Sequence, residues 1–143
     1  MHADEFAKVW FKLSRDYRTG LESALAPLTE SQLVVLEFIM THEQVKPSDL
    51  IEHLATTPAA VTTLLDRMVK NGLVARQRDE HDRRIVWIRL TDKGRAEGKR
   101  GIEMRNRFLQ QGLDVISRHN QKLLVYLLGK IEFPRDAAPH DQG

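Results

Sequence analysis

The chain has 143 residues, a length that suits one compact domain or two intimately packed subdomains. With 41% hydrophobic and 29% charged residues it can bury a core behind a solvated surface, which argues against wholesale disorder. The absence of cysteine excludes disulfides, thiolate metal sites and a cysteine-oxidation switch, and the formal net charge of +2 indicates no partner by itself.

The distribution of the charges is more informative than their sum. Residues 1–55 carry 5 basic and 9 acidic side chains, residues 56–100 carry 11 and 6, and residues 101–143 carry 6 and 5. A basic middle segment between acidic or neutral flanks is typical of a protein that meets polyanionic phosphate through one subregion. No apolar run approaches the ~20 residues that span a bilayer, so we expect a cytoplasmic protein without a membrane segment.

The first half of the chain predicts three helices. Apolar residues recur at spacings of three and four over residues 5–25, which indicates an amphipathic helix that Pro27 ends. Thr29 is expected to cap a second helix that ends near His42. Pro47 suits the first position of a short third helix.

A fourth helix and a hairpin follow. Thr57 is expected to cap this helix, with Pro58 at a position that needs no backbone N–H, and Gly72 after Asn71 closes it. Residues 73–78 and 85–90 alternate in character and are rich in Val, Ile and Trp, which predicts a β-hairpin with a long polar tip.

The last third of the chain is expected to be helical. Thr91 caps a long helix from Asp92 to about Ile116, and a further helix runs from Ser117 to Ile131. Four glycines in the long helix each cost about 1 kcal/mol relative to Ala, which either close packing or a bend would explain: Gly94, Gly98, Gly101 and Gly112. The predicted fold is therefore mainly α-helical with a small β-hairpin wing, that is, a winged helix-turn-helix with additional helices.

The fourth helix is the candidate DNA-recognition helix. On a helical wheel its apolar arc faces inward, and its outward arc begins with small residues that can approach base edges in a major groove. Asp66 opposes DNA contact and is expected to pair with Lys70 or with an arginine of the hairpin. The candidate DNA contacts of this helix are Thr57, Pro58, Ala59, Thr62, Thr63, Arg67 and Lys70.

The hairpin tip is the second candidate contact. An arginine at the end of a stiff ribbon gains from the negative potential of a narrow minor groove. Asp82 is better placed to brace one of these arginines by a charge-assisted hydrogen bond than to touch DNA. The candidate wing contacts are Arg76, Arg78, Arg83 and Arg84.

Several motifs in order resemble the MarR (multiple antibiotic resistance regulator) family: Thr57–Met68, Asn71–Arg76, Asp82-Arg83-Arg84 and Leu90–Gly94. The resemblance runs over about residues 33–94. It implies an obligate homodimer, usually a repressor, that binds a pseudo-palindromic operator with recognition helix 58–71 and a wing arginine, Arg83 or Arg84, in the minor groove.

The resemblance also implies a division of the chain into regions. A DNA-binding winged region at 28–91 would be flanked by a helical dimerisation region at 1–27 and 92–132, with a flexible tail at 133–143. The apolar surface of the outer helices independently favours dimerisation, because it exceeds what a small winged domain can cover.

Family members often release DNA when a small aromatic or anionic molecule enters a crevice between subdomains. Trp10, Tyr17, Arg18 and His42 are candidates for such an effector pocket, although Trp10 and Tyr17 also suit a dimer core. A metal-responsive regulator is a weaker alternative, because no two of the six histidines share a helical face at i,i+3 or i,i+4. We predict no metal site and no cofactor.

The sequence contains no motif of an enzyme. It lacks a Gly-x-Ser-x-Gly elbow and a His-Glu-x-x-His pair, and the segment from Gly94 to Arg100 falls short of a phosphate-binding loop. We therefore predict a DNA-binding regulator. The competing class is a winged-helix module for protein interaction without DNA affinity, and salt-sensitive binding to DNA would separate the two.

Overall fold

The computed structural model describes residues 1–135, which form six helices and one hairpin in the order α1 (His2–Leu25), α2 (Glu30–Thr41), α3 (Pro47–Leu54), α4 (Pro58–Lys70), β1 (Val74–Arg78), β2 (Val86–Leu90), α5 (Asp92–Leu113) and α6 (Arg118–Lys130). The predicted fold class is confirmed. Residues 136–143, most of the predicted tail, lie outside the described part.

Local capping signals located the helix starts correctly. Thr29 forms a capping box with Gln32, in which each side chain accepts a hydrogen bond from the backbone N–H of the other. Thr57 and Ser117 cap α4 and α6 with a single hydrogen bond each, accepted from the backbone N–H groups of Ala60 and Asn120.

Some element ends differ from the prediction. α1 begins at His2, before its apolar periodicity starts, because exposed polar residues continue a helix without needing a core. α5 ends at Leu113 rather than near Ile116, and a turn precedes the Ser117 cap. Each strand is one residue shorter than expected.

The chain divides into two compact units, Met1–Phe108 and Leu109–Gly143, with the boundary inside α5. In the first unit, α2, α3 and α4 pack with the hairpin around one apolar core, and α1 adds Leu21 and Leu25. Burying each such side chain stabilises the fold by about 1.5–3 kcal/mol. The fully buried core side chains are Leu21, Leu25, Leu33, Val35, Leu36, Val45, Leu50, Val61, Leu65, Met68 and Ile88.

The hairpin is hydrogen-bonded through β2 to the segment between α2 and α3. β1 and β2 are antiparallel, with Val74 opposite Leu90 and Arg78 opposite Val86. The Ile88 N–H donates to the carbonyl of Val45, which precedes α3, at 2.8 Å. The wing is therefore an extension of the helical core rather than a loose ribbon.

Close packing explains three of the four glycines in α5. Gly94, Gly98 and Gly101 are buried, and a Cβ at Gly94 would overlap the backbone carbonyl of Leu73. A Cβ at Gly98 would lie 2.9 Å from the Met40 sulfur. At Gly112 a Cβ would meet nothing within 4 Å among residues 1–135.

An ion pair between α2 and α5 was not predicted. The guanidinium of Arg105 donates two hydrogen bonds to the carboxylate of Glu37, the longer at 3.1 Å. These hydrogen bonds hold the pKa of Glu37 below its ordinary value. The pair ties the long helix to the second helix at a partly buried position.

Within residues 1–135 no single helix is long and apolar enough to cross a bilayer. α1 and α2 satisfy the length and composition requirement only when taken together, across a bend of 72°.

Candidate nucleic-acid interface

The first turns of α4 present small residues to solvent. The Thr57 hydroxyl accepts a hydrogen bond from the backbone N–H of Ala60 at 3.2 Å, and Pro58 takes the first helical position. Because Val61, Leu65 and Met68 turn the apolar side of the helix into the core, the opposite side faces outward. The candidate contacts on this helix are all exposed: Thr57, Pro58, Ala59, Thr62, Thr63, Arg67 and Lys70.

The three threonines of this face are not equivalent. Thr57 uses its oxygen as the helix cap. The Thr62 hydroxyl donates to the carbonyl of Pro58 at 3.0 Å, which leaves it lone pairs to accept with but no proton to donate. The Thr63 hydroxyl has no hydrogen-bond partner within residues 1–135, so it keeps both its donor and its acceptor capacity.

Asp66 on the outward face is neutralised by the hairpin. Its carboxylate accepts a hydrogen bond from the Arg76 guanidinium at 2.7 Å, which decides between the two partners the sequence left open. This ion pair holds β1 beside α4. Arg76, a candidate DNA contact, thus already has a partner within the protein.

The wing tip holds one arginine in a fixed orientation. Asp82 accepts two hydrogen bonds from the Arg84 guanidinium, from Nε and Nη2, both at 3.0 Å. These bonds keep the pKa of Asp82 below its ordinary value. The Arg84 side chain is nevertheless 91% exposed, so it is oriented without being buried.

The other two arginines of the tip have different environments. Arg78 donates from Nη1 to the backbone carbonyl of Arg83 at 2.8 Å, so it supports the tip from within. The Arg83 side chain is exposed and, in the part of the chain that the structure describes, has no hydrogen-bond or ion-pair partner.

Asp79 organises the tip, and sequence reasoning missed it. One carboxylate oxygen accepts hydrogen bonds from the backbone N–H groups of His81 and Asp82, both at 2.8 Å. The other accepts from the indole Nε1 of Trp87 at 2.9 Å. Together these bonds lower the pKa of Asp79, the indole most of all. An aspartate at the start of a polar turn is the signal that could have identified it.

The candidate effector residues do not form one pocket within the chain. The Tyr17 hydroxyl donates to the Glu30 carboxylate at 3.4 Å. Burial of Tyr17 raises the pKa of this hydroxyl, and the negative charge of Glu30 raises it further. His42 stacks on the Phe38 ring with centroids 3.9 Å apart. Glu30 and His42 lie at opposite ends of α2, roughly 18 Å apart at 1.5 Å per residue.

The other two effector candidates are solvent-facing. The Trp10 ring is half exposed and stacks on Phe6 with centroids 5.8 Å apart. Arg18 is exposed. Within a single chain, therefore, neither is enclosed with His42.

Two open clefts adjoin His42. One, of about 600 Å³, is lined by Phe38, His42, Gln44, Asp49, Glu52 and His53. The other, of about 370 Å³, is lined by apolar side chains of α2 and β2 together with Arg89 and Arg95, and it also includes Glu43. No group of three or more His, Asp or Glu side chains among residues 1–135 is arranged to hold a metal ion.

Known proteins match this chain over the residues of the candidate nucleic-acid interface and over neighbouring residues. The model of the MarR family matches residues 28–86. The uncharacterized HTH-type transcriptional regulator YdgJ of Bacillus subtilis is 30% identical over 108 residues, 76% of this chain and 66% of that protein. The HTH-type transcriptional repressor MdtR of the same organism is 27% identical over 104 residues, 73% of this chain and 67% of that protein.

Solved structures match over about nine tenths of the chain. A MarR family protein from Bacillus stearothermophilus is 30% identical with a TM-score of 0.76, covering 90% of this chain and 91% of that one. A mutant MarR from E. coli complexed with operator DNA is 27% identical with a TM-score of 0.76, covering 88% and 92%.

Proposed function

Because the chain belongs to the MarR family and is a DNA-binding transcriptional regulator rather than an enzyme, we propose that it acts as a homodimeric repressor. It binds a pseudo-palindromic operator, and a small molecule releases it. A protein with this role works where the operator is, so we place it in the cytoplasm. The proposal rests chiefly on one observation, the outward-facing Arg84 that Asp82 holds at the end of the wing.

The recognition helix in this proposal is α4. Its first turns carry Ala59 and Thr63, whose small side chains allow the backbone to approach base edges, where Thr63 can both donate and accept. Arg67 and Lys70, one to two turns later, reach phosphates or, for Arg67, a guanine edge. Thr57 acts through the cap that fixes the start of the helix.

Arg84 is the wing arginine that enters the minor groove. Asp82 occupies two of its five N–H donors, so three remain for base edges and sugars. Since its orientation exists before DNA arrives, little side-chain entropy is lost on binding. Arg83, which has no such brace within residues 1–135, reaches a phosphate, because a flexible cation binds a phosphate as well as a fixed one does.

A second copy of the chain is the proposed partner of the outer helices. In the N-terminal half of α1, Val9 is 65% exposed and Leu13 58% exposed. In α6 no residue is buried, and Leu123 and Leu127 are 45% and 51% exposed. Apolar stripes of this kind at helical spacing are covered by a partner in stable soluble proteins. The regions 1–27 and 92–132 are therefore the proposed dimerisation region.

The proposed effector is a small aromatic or anionic molecule. His42 lines both described clefts, and Arg89 and Arg95 can attract an anion to the second. Trp10, Tyr17 and Arg18 remain candidates for contact with an effector in the dimer. Release of bound DNA by one of a panel of aromatic and aliphatic carboxylates, abolished in His42→Ala, supports this placement; unchanged release in that variant contradicts it.

DNA binding is tested with fragments selected from a random duplex pool, by fluorescence anisotropy. Arg84→Ala is expected to weaken binding about 5- to 150-fold, the loss of one well-placed arginine contact, and Arg83→Ala less. Charge reversal at both positions abolishes binding while light scattering still reports a dimer. Unchanged affinity in Arg84→Ala refutes the wing assignment.

Salt dependence separates operator binding from the protein-interaction alternative. Neutralisation of several phosphates by basic side chains makes the logarithm of affinity fall linearly with the logarithm of salt concentration. We expect a steep slope that becomes shallower by about one unit in Lys70→Ala. Flat affinity between 50 and 200 mM salt, roughly the range over which phosphate contacts lose most of their strength, favours a protein partner instead.

A further inference from the structure

The wing tip contains three carboxylates within four residues, Asp79, Glu80 and Asp82. Each of these negative charges repels the phosphates of a duplex. Carboxylates are therefore unfavourable in a tip that contacts DNA unless they have a role within the protein. Asp82 braces Arg84. Glu80 is exposed, and its carboxylate has no hydrogen-bond partner within residues 1–135. Asp79 accepts three hydrogen bonds.

The three bonds of Asp79 define the backbone that carries the brace. Two of them fix the N–H groups of His81 and of Asp82, the residue whose carboxylate holds Arg84. The Ile85 N–H then donates to the Asp82 carbonyl at 3.0 Å, which closes the turn on its other side. The position of the Arg84 guanidinium is therefore set through Asp82 by Asp79.

The third bond connects the tip to the body of the protein. Trp87 lies on β2, donates to Asp79 from its indole and is partly buried. The Lys46 ammonium lies 6.0 Å from the centre of the indole ring, and Lys46 is the residue before α3. Asp79 thus joins the arginine tip to Trp87 at the tip end of β2 and, through the indole ring, to the residue before α3.

We propose that Asp79 is a positioning residue for DNA binding, which uses Trp87 as its anchor and orients Arg84 through the 81–82 backbone before DNA is met. The proposal rests on the proposed function of the wing. Its physical basis is preorganisation: without the three hydrogen bonds, the tip has to be ordered during binding, and the affinity falls by that cost.

The test compares two charge-matched truncations, Asp79→Ala and Glu80→Ala, in the full-length protein with the selected duplex. Both remove one negative charge from the same tip, so electrostatics alone strengthens binding equally in the two. We expect Glu80→Ala to bind as tightly as the parent or slightly tighter. We expect Asp79→Ala to bind roughly tenfold more weakly, the scale of ordering a long side chain on binding. Equal affinities in the two variants overturn the proposal.

A double-mutant cycle with Arg84→Ala distinguishes positioning from general stability. If Asp79 acts through Arg84, Asp79→Ala no longer weakens binding once Arg84 is gone, and only the small electrostatic gain seen in Glu80→Ala remains. An undiminished effect in that background overturns the proposal. Failure of the wing assignment itself has a separate signature, which is unchanged binding in Arg84→Ala alone.

Two milder variants test the same proposal if Asp79→Ala folds poorly. Asp79→Asn leaves one acceptor oxygen, which can serve the turn or the indole but not both. Trp87→Phe removes the indole donor and keeps an aromatic ring. Both are expected to fall between the parent and Asp79→Ala in affinity, and parental affinity in both overturns the role of the anchor.

Discussion

The close contact between α5 and Leu73, the residue before β1, predicts a large effect from one methyl group. In Gly94→Ala the new Cβ would overlap the carbonyl oxygen of Leu73 and lie 2.9 Å from the carbonyl carbon. That carbonyl is not free to move, because it accepts a hydrogen bond from the Thr91 backbone N–H at 3.2 Å. It also lies 3.1 Å from the Thr91 hydroxyl, whose proton it shares with the nearer carbonyl of Gly72. Relief of the overlap therefore loosens the joint between the wing and α5.

The expected destabilisation follows from three contributions. Overpacking against a rigid neighbour costs about 1–3 kcal/mol, and weakening two hydrogen bonds costs about 1 kcal/mol each. The better helix propensity of Ala offsets about 1 kcal/mol. The net loss is about 2–4 kcal/mol in the free energy of unfolding, which lowers the melting temperature by roughly 5–15 °C for a chain of this size.

Urea denaturation at a fixed protomer concentration measures this loss. Gly112→Ala is the matched control, because it lies in the same helix and its Cβ would meet nothing within 4 Å among residues 1–135. This control is expected to equal or exceed the parent in stability by up to about 1 kcal/mol. If Gly94→Ala proves as stable as Gly112→Ala, the packing of α5 on Leu73 is not as described.

Two further predictions concern local contacts. Thr57→Ala removes the cap of α4 and is expected to lower the free energy of unfolding by about 1 kcal/mol in urea denaturation, whereas Thr57→Ser keeps the acceptor and most of the stability. The Glu37–Arg105 pair depresses the pKa of Glu37, so its contribution is complete above the unfolded-state pKa of about 4.3 and is lost as the pH falls through the lower folded-state value. Arg105→Met is therefore expected to be less stable than the parent by about 1 kcal/mol at pH 6, a value that allows for the partial exposure of the pair. This difference in the free energy of unfolding should shrink toward pH 3. A difference that stays constant between pH 6 and pH 3 contradicts the ion-pair explanation.

The sequence predicted the elements well where the signal is local. A cap such as Thr29 or Thr57 acts within three residues, so its hydrogen bond depends on the adjacent sequence alone. The outward face of α4 was also predictable, because a helix with one apolar arc can bury only that arc. The end of α5 was predicted three residues too late, since exposed polar residues near Leu113 carry no periodic signal that stops a helix.

The sequence did not determine which side chains of different elements form ion pairs. Asp66 could pair with Lys70 or with an arginine of the hairpin, and only the position of β1 beside α4 selects Arg76. The same holds for the wing arginines, where Asp82 is adjacent in sequence to Arg83 and yet braces Arg84. Side-chain direction, which depends on the turn that Asp79 organises, makes that choice.

The sequence by itself therefore determined the order of elements, the basic middle segment and the family resemblance, because periodicity, caps and charge are properties of neighbouring residues. The tertiary structure alone decided which carboxylate neutralises which arginine and why α5 tolerates Gly94. It also decided that Tyr17 contacts Glu30 at the start of α2, at the opposite end of that helix from His42. Apart from the Asp82–Arg84 pair, which the turn of the wing tip sets, those outcomes depend on distances between different elements, and packing of the core sets such distances.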